Sequence, residues 1–135
     1  MTLAERRSIV VMNEDGPALA QMGELLEREG YTVVACADAA RIHEVVRAQM
    51  PDLVVLDRRD TELPGGRVLA MLRLDAQTSI IPIVQCFTGS DSHAVAAARA
   101  DAMGCSILIA PFEAAELLER VRELLAQPAG HASAR

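Results

Sequence analysis

Residues 51–60 read PDLVVLDRRD: a proline, four consecutive aliphatic side chains from Leu53 to Leu56, and then Asp57. A partly β-branched run of that length fits a strand covered on both faces, as in a parallel sheet with helices on each side. Asp57 then falls at the C-terminal edge of the strand. In open α/β sheets ligands bind at that edge, so an acid there can carry function. It can equally serve as a turn or helix cap.

Working outward, runs of the same kind recur at residues 8–12, 31–36, 52–56, 80–87 and 105–110, and all are strand-like. Segments with helical spacing lie between them. The first, over 17–29, places Leu19, Met22, Leu25 and Leu26 on one face and stops at Gly30. The second starts at 38 or 39 and is ended by Pro51. The third begins near Gly65 and carries Val68, Leu69 and Leu72. The fourth has Ser90 or Asp91 as its N-cap, is rich in alanine, and ends at Gly104. The last, over 113–126, repeats Leu117, Leu118, Val121, Leu124 and Leu125. Five strands alternating with five helices predict an α/β doubly wound, three-layer domain with right-handed crossovers. Its expected extent is 1–127, and the tail PAGHASAR at 128–135 has turn and linker composition.

Composition narrows the function. The chain has 135 residues, enough for one domain, and no internal repeat. Apolar residues make up 51% of it and aromatics only 2%, so the core is aliphatic and offers no stacking platform for bases or sugars. A formal charge of −6 argues against nucleic-acid binding by phosphate neutralisation, and against an anionic membrane. No stretch has the length of a membrane span, and MTLAERRSIV at the start lacks the features of a signal peptide. Cys36, Cys86 and Cys105, without CxxC spacing, fit buried reduced thiols in a cytoplasmic protein.

Several motifs, in order and spacing, carry a resemblance. GYTVVACADAARIHEVV at 30–46, PDLVVLD at 51–57, Gly65 eight residues after Asp57, Leu72–Arg73, and PFEAAELLERV at 111–121 together resemble the receiver domain of bacterial two-component response regulators. The likeness runs from about Ser8 to Ala126. It implies a flavodoxin-like (βα)5 sandwich with a parallel five-stranded sheet in the order 2-1-3-4-5. It further implies that Asp57 is the phosphoacceptor. Phosphoryl transfer needs an in-line oxygen nucleophile, with cations to absorb charge on the transferred oxygens.

By the same resemblance, acids after the first strand hold Mg²⁺. Here the chain reads VVMNEDGP, and the family's acidic pair falls on Asn13 and Glu14 or on Glu14 and Asp15, depending on the anchor used. An oxygen-only site would then use Glu14, Asp15, Asp57 and the backbone carbonyl of Arg59, with weakened or absent Mg²⁺ binding expected. The bland alternative is that Asn13, Glu14 and Asp15 only cap the first helix.

Other positions depart from the family pattern. Phe87 stands where the family has Thr or Ser, with Thr88 next to it as a phosphate-contact candidate or a cap. Ala110 replaces the family's lysine, so a point charge for the carboxylate and phosphoryl oxygens is missing. Arg58 or Arg59 is a weaker substitute. The aromatic position on strand five is absent from CSILIA, Thr61 replaces a family proline, and the Ala110–Pro111 bond is expected to be cis.

The expected function is an atypical, degenerate receiver: a non-enzymatic protein-interaction module in which phosphorylation at Asp57 is impaired or absent. Its expected partner is a sensor histidine kinase or another signalling protein. A homodimer is a further expectation, through the face of the fourth helix, fifth strand and fifth helix, where Ala94, Ala97 and Ala98 allow close packing. A conventional Mg²⁺-dependent phosphoacceptor is the alternative. A haloacid-dehalogenase-like phosphatase would want DxDxT after the first strand, whereas LDRRDT follows the third. A flavin module would want a Ser/Thr-rich phosphate loop and ring-facing aromatics, and neither is present. His43, His93 and His131 fit no zinc spacing. Glu44, Glu113, Glu116 and Glu119 fit solvated helix faces or intrahelical pairs.

Overall fold

The computed structural model describes residues 6–58, 65–87, 106–109 and 112–126. The strands are β1 Ser8–Met12, β2 Thr32–Cys36, β3 Leu53–Arg58, β4 Ile83–Phe87 and β5 Ser106–Ile109. They form one sheet in the order β2-β1-β3-β4-β5, every pair parallel. The helices are α1 Gly16–Arg28, α2 Ile42–Gln49 preceded by a 3₁₀ turn at Ala39–Arg41, α3 Gly65–Leu74, and a C-terminal helix Ala114–Leu125. The expected fourth helix, with Ala94, Ala97, Ala98 and His93, lies outside the described residues, as do Cys105, His131 and the tail.

The sides taken by the helices follow from this strand order and from handedness. The connection from β1 to β2 runs one way along the sheet, and those from β2 to β3 and β3 to β4 run the other way. Right-handed crossovers therefore put α1 on one face and α2 and α3 on the opposite one. Two apolar clusters match this division. Ile9, Val11, Leu53 and Val55 pack with Leu19 and Leu26 of α1 and with Leu117, Val121 and Leu125 of the C-terminal helix. Val10, Met12, Val54 and Leu56 pack with Ile42 and Val46 of α2 and with Leu69 and Leu72 of α3. Alternate residues of β1 and β3 thus face opposite layers, and both faces are apolar because both are covered.

Two strand boundaries differ from the expectation by more than one residue, each for a local reason. β3 runs through Asp57 to Arg58, because β4 pairs with it as far as Arg58↔Phe87. β4 starts at Ile83, not Ile80: residues 75–80 form a turn, and Ile80 is exposed. Arg73 braces that turn by donating from Nη1 to the carbonyl oxygens of Ser79 and Ile81, at 2.9 and 2.7 Å.

α1 begins where Asp15 takes an extended N-cap conformation with Pro17 in the first turn. Gly30 ends it with φ +97°, a left-handed conformation that a side chain would strain. An ion pair between Arg122 and Glu29, at 3.6 Å, ties the end of α1 to the C-terminal helix.

Candidate functional site

β1 and β3 are in register with an offset of 44 residues, from Ile9↔Leu53 to Met12↔Leu56. One step further, the same offset sets Asn13 beside Asp57. Both continue the odd-numbered series of their strands, so both belong to the α1 face at the C-terminal edge of the sheet. This edge lies between β1 and β3, where the connections diverge to opposite sides, the usual position for a site in an open α/β sheet.

Asn13 is buried and makes three hydrogen bonds. Its Nδ2 donates to Asp57 Oδ2 at 2.8 Å. Its Oδ1 accepts from the backbone N–H of Asp15 at 2.8 Å. Its own N–H donates to the Cys36 carbonyl at 3.2 Å. The second of these decides how the amide is turned. A backbone N–H must meet the oxygen, so the NH₂ group must face the carboxylate; the reverse orientation would set donor against donor and acceptor against acceptor.

Asp57 is half-buried and opens into a groove of about 430 Å³ between α1 and the C-terminal helix. Ala18, Met22 and Leu25 of α1 line one side, and Phe112, Ala114 and Leu117 the other, with Glu24 and Arg28 also in the lining. Across the sheet Asp57 pairs in register with Cys86. Burial pushes the Cys86 thiol far above its ordinary range, the negative charge of Asp57 adds to the effect, and Arg120 opposes it. Cys86 therefore stays a neutral core side chain and not a nucleophile. Arg120 itself donates to the Ser106 hydroxyl and the Ile107 carbonyl, holding the C-terminal helix to β5.

The other predicted site residues are placed unevenly. Glu14 is exposed in the β1–α1 turn, and Asp15 is half-buried as the N-cap of α1, with no side-chain cap bond. Phe87 ends β4. Arg59, Thr61, Thr88, Ala110 and Pro111, with the Ala110–Pro111 bond, lie outside the described residues. Among the described residues, no three carboxylate, cysteine or histidine side chains converge to hold a cation. Among the described residues, Asn13 presents an N–H group to Asp57 Oδ2, so its side chain offers a cation no lone pair on that side.

The capping expectation for Asn13 is met only in part. Its carbonyl does serve the start of α1, but its amide serves Asp57, and sequence reasoning missed that second bond. The available signal was the register: equal offsets along β1 and β3 make residues 13 and 57 neighbours. The glutamates behave as expected, with Glu44 paired to Arg41 at 3.3 Å and Glu116 accepting from the Glu113 N–H at 2.9 Å.

Residues 9–122 match the family model of the response regulator receiver domain. The chain belongs to that family. Among curated relatives, this receiver is 32% identical over 117 residues to the response regulator MprA of Mycobacterium ulcerans, covering 87% of this chain and 49% of that protein. It is 31% identical to the transcriptional regulatory protein CseB of Streptomyces coelicolor, covering 91% of this chain and 51% of the relative. The chain spans about half the length of the curated relatives it matches. Among solved structures it resembles a putative response regulator from Chloroflexus aurantiacus, with TM-score 0.79 and 22% identity over 91% of this chain and 100% of that one. A response regulator receiver protein from Sinorhizobium medicae gives TM-score 0.75 and 24% identity, over 91% and 97% of the two chains. The 2-1-3-4-5 sheet of this receiver is thus the fold of its relatives. No helix among the described residues is long and apolar enough to cross a membrane.

Proposed function

We propose that this receiver is an atypical member of two-component signalling in which phosphorylation of Asp57 is impaired, and that it acts by binding partner proteins and not as an enzyme. The observation that carries the reading is the Asn13 amide against Asp57 Oδ2 at 2.8 Å. A phosphoryl acceptor of this kind works with a divalent cation beside the carboxylate. In this chain a neutral hydrogen-bond donor stands in that quarter, and the sequence has alanine at position 110, where the family has lysine.

The partner proposed is a sensor histidine kinase or another signalling protein of the cytoplasm, reached through protein surfaces alone. A net charge of −6 supports a module without nucleic-acid contacts of its own. The expected homodimer, through the region of residues 90–126, stays a proposal that a concentration series of solution mass would test. Relatives described as transcriptional regulators are about twice as long as this chain. A DNA-binding output joined to this receiver is a proposal for the whole protein only.

A conventional Mg²⁺-dependent phosphoacceptor is the second reading. Its support is that Asp57 is half-buried and lines an open groove, so a phosphodonor can approach it. Intact mass after incubation with Mg²⁺ and acetyl phosphate separates the two. The first reading expects no phosphoryl gain in protein that is demonstrably folded. A gain that disappears in Asp57→Asn would establish the second.

A further inference from the structure

Asn13 joins two parts of the molecule that the chain itself separates. On one side its amide holds Asp57 Oδ2; on the other its carbonyl holds the N–H of Asp15, the N-cap of α1. The Asp15 carbonyl in turn accepts the first bond of the helix, from the Leu19 N–H at 2.9 Å. The Asn13 side chain thus holds the backbone of the N-cap residue from which the first helical bond starts. Asn13 is only 5% exposed, and its own N–H is tied to the Cys36 carbonyl, so its amide cannot turn without breaking bonds that water does not readily replace.

We propose that Asn13 is a positioning residue, a latch that excludes a cation from Asp57 Oδ2 and couples the state of that carboxylate to the first turn of α1. The inference deepens, and rests on, the reading of Asp57 as the receiver site. Any group that takes the lone pair of Oδ2 that faces Asn13 must displace its amide. A cation there would require the carbonyl to swing toward it, and the Asp15 N–H would then lose its acceptor. The first turn of α1 shifts as a result, and α1 is one wall of the groove into which Asp57 opens. A change at Asp57 is therefore felt on the surface of α1. This route runs through the β1–α1 turn and needs neither residue 87 nor residue 110.

Amide hydrogen exchange and Mg²⁺ titration by nuclear magnetic resonance, on the whole chain, test both halves. In Asp57→Ala the Asn13 amide loses its acceptor, and the Asp15 N–H is expected to exchange at least about tenfold faster while the β-sheet amides keep their rates. Unchanged exchange at Asp15, within about twofold, overturns the coupling. In Asn13→Asp the donor becomes a second carboxylate, and the Mg²⁺ midpoint is expected to fall at least about tenfold below that of the natural chain. Equal midpoints in the two proteins overturn the exclusion. If the paired carboxylates prevent Asn13→Asp from folding, the Asp57→Ala comparison still decides the latch. Acetyl phosphate labelling is a separate readout: a natural chain that labels freely overturns the impaired-receiver reading, while the exchange at Asp15 judges the latch.

Discussion

His43 on α2 and Asp75 after α3 meet at 2.8 Å, Nε2 to Oδ2, and Arg47 reaches the same carboxylate oxygen at 3.2 Å. The other oxygen, Oδ1, accepts the backbone N–H of Gln77 at 2.9 Å. Asp75 is therefore a junction between two helices and the turn that leads into β4, at the end of the sheet opposite Asp57. These contacts hold its carboxyl below the ordinary value of 3.8, the Gln77 N–H first, then the His43 bond, with desolvation opposing and the charges of Arg47 and His43 adding.

The sign of the resulting pH dependence follows. The folded state binds the Asp75 proton more weakly than the unfolded chain, so the contribution to stability is complete above 3.8 and is lost as pH falls through the lower folded value. Asp75→Asn is expected to lower the urea midpoint near neutral pH, and the difference from the natural chain is expected to shrink below 3.8. A difference that stays constant into acid would show that the charge has no part in it.

Gly23 sits in the interior of α1, where a glycine has backbone freedom to lose and nothing to gain. A Cβ there would meet Val33 Cγ1 at 3.5 Å, ordinary van der Waals contact. Gly23→Ala is expected to raise stability by about 0.5–1 kcal/mol in urea unfolding. A loss of stability would mean that α1 must move away from β2 to admit the methyl group.

Met50 closes α2 with φ 44° and ψ 61°, a left-handed conformation directly before Pro51, and its side chain is exposed. Met50→Gly should therefore stabilise the domain by up to about 1 kcal/mol, relief of the conformational cost being partly offset by the freer unfolded chain. Met50→Val should lose about 1–2 kcal/mol, since a β-branched side chain tolerates this region least. Equal urea midpoints for the two variants would contradict the assignment.

Leu53 is fully buried at the start of β3, in the cluster shared by α1 and the C-terminal helix. Truncation to alanine removes apolar contacts and leaves a cavity between layers that helices hold on both sides. Leu53→Ala is expected to cost about 2–5 kcal/mol, read from the urea midpoint at unchanged slope.

Much of this molecule was legible along the chain because its pattern is local. The aliphatic run Leu53–Leu56, bounded by Pro51 and Asp57, marks a strand covered on both faces, and all four side chains are fully buried. The helical spacing of Leu19 and Leu26, and of Leu117, Val121 and Leu125, likewise marked the faces that the clusters bury. Strand ends were less legible, because pairing partners and not composition decide them: Arg58 extends β3 by facing Phe87, and Ile80 fails to join β4 although it is as apolar as Ile83.

By itself, then, the sequence determined the alternation of strands and helices, the aliphatic composition of both faces and the position of Asp57 at a sheet edge, since each depends on side chains a few residues apart. Only the tertiary structure decided what stands next to Asp57. That neighbour comes from 44 residues away, through the parallel register of β1 and β3, and the Asp15 N–H fixes which end of the Asn13 amide it presents. A hydrogen bond depends on direction as well as on residue type, and direction exists only once the chain is folded.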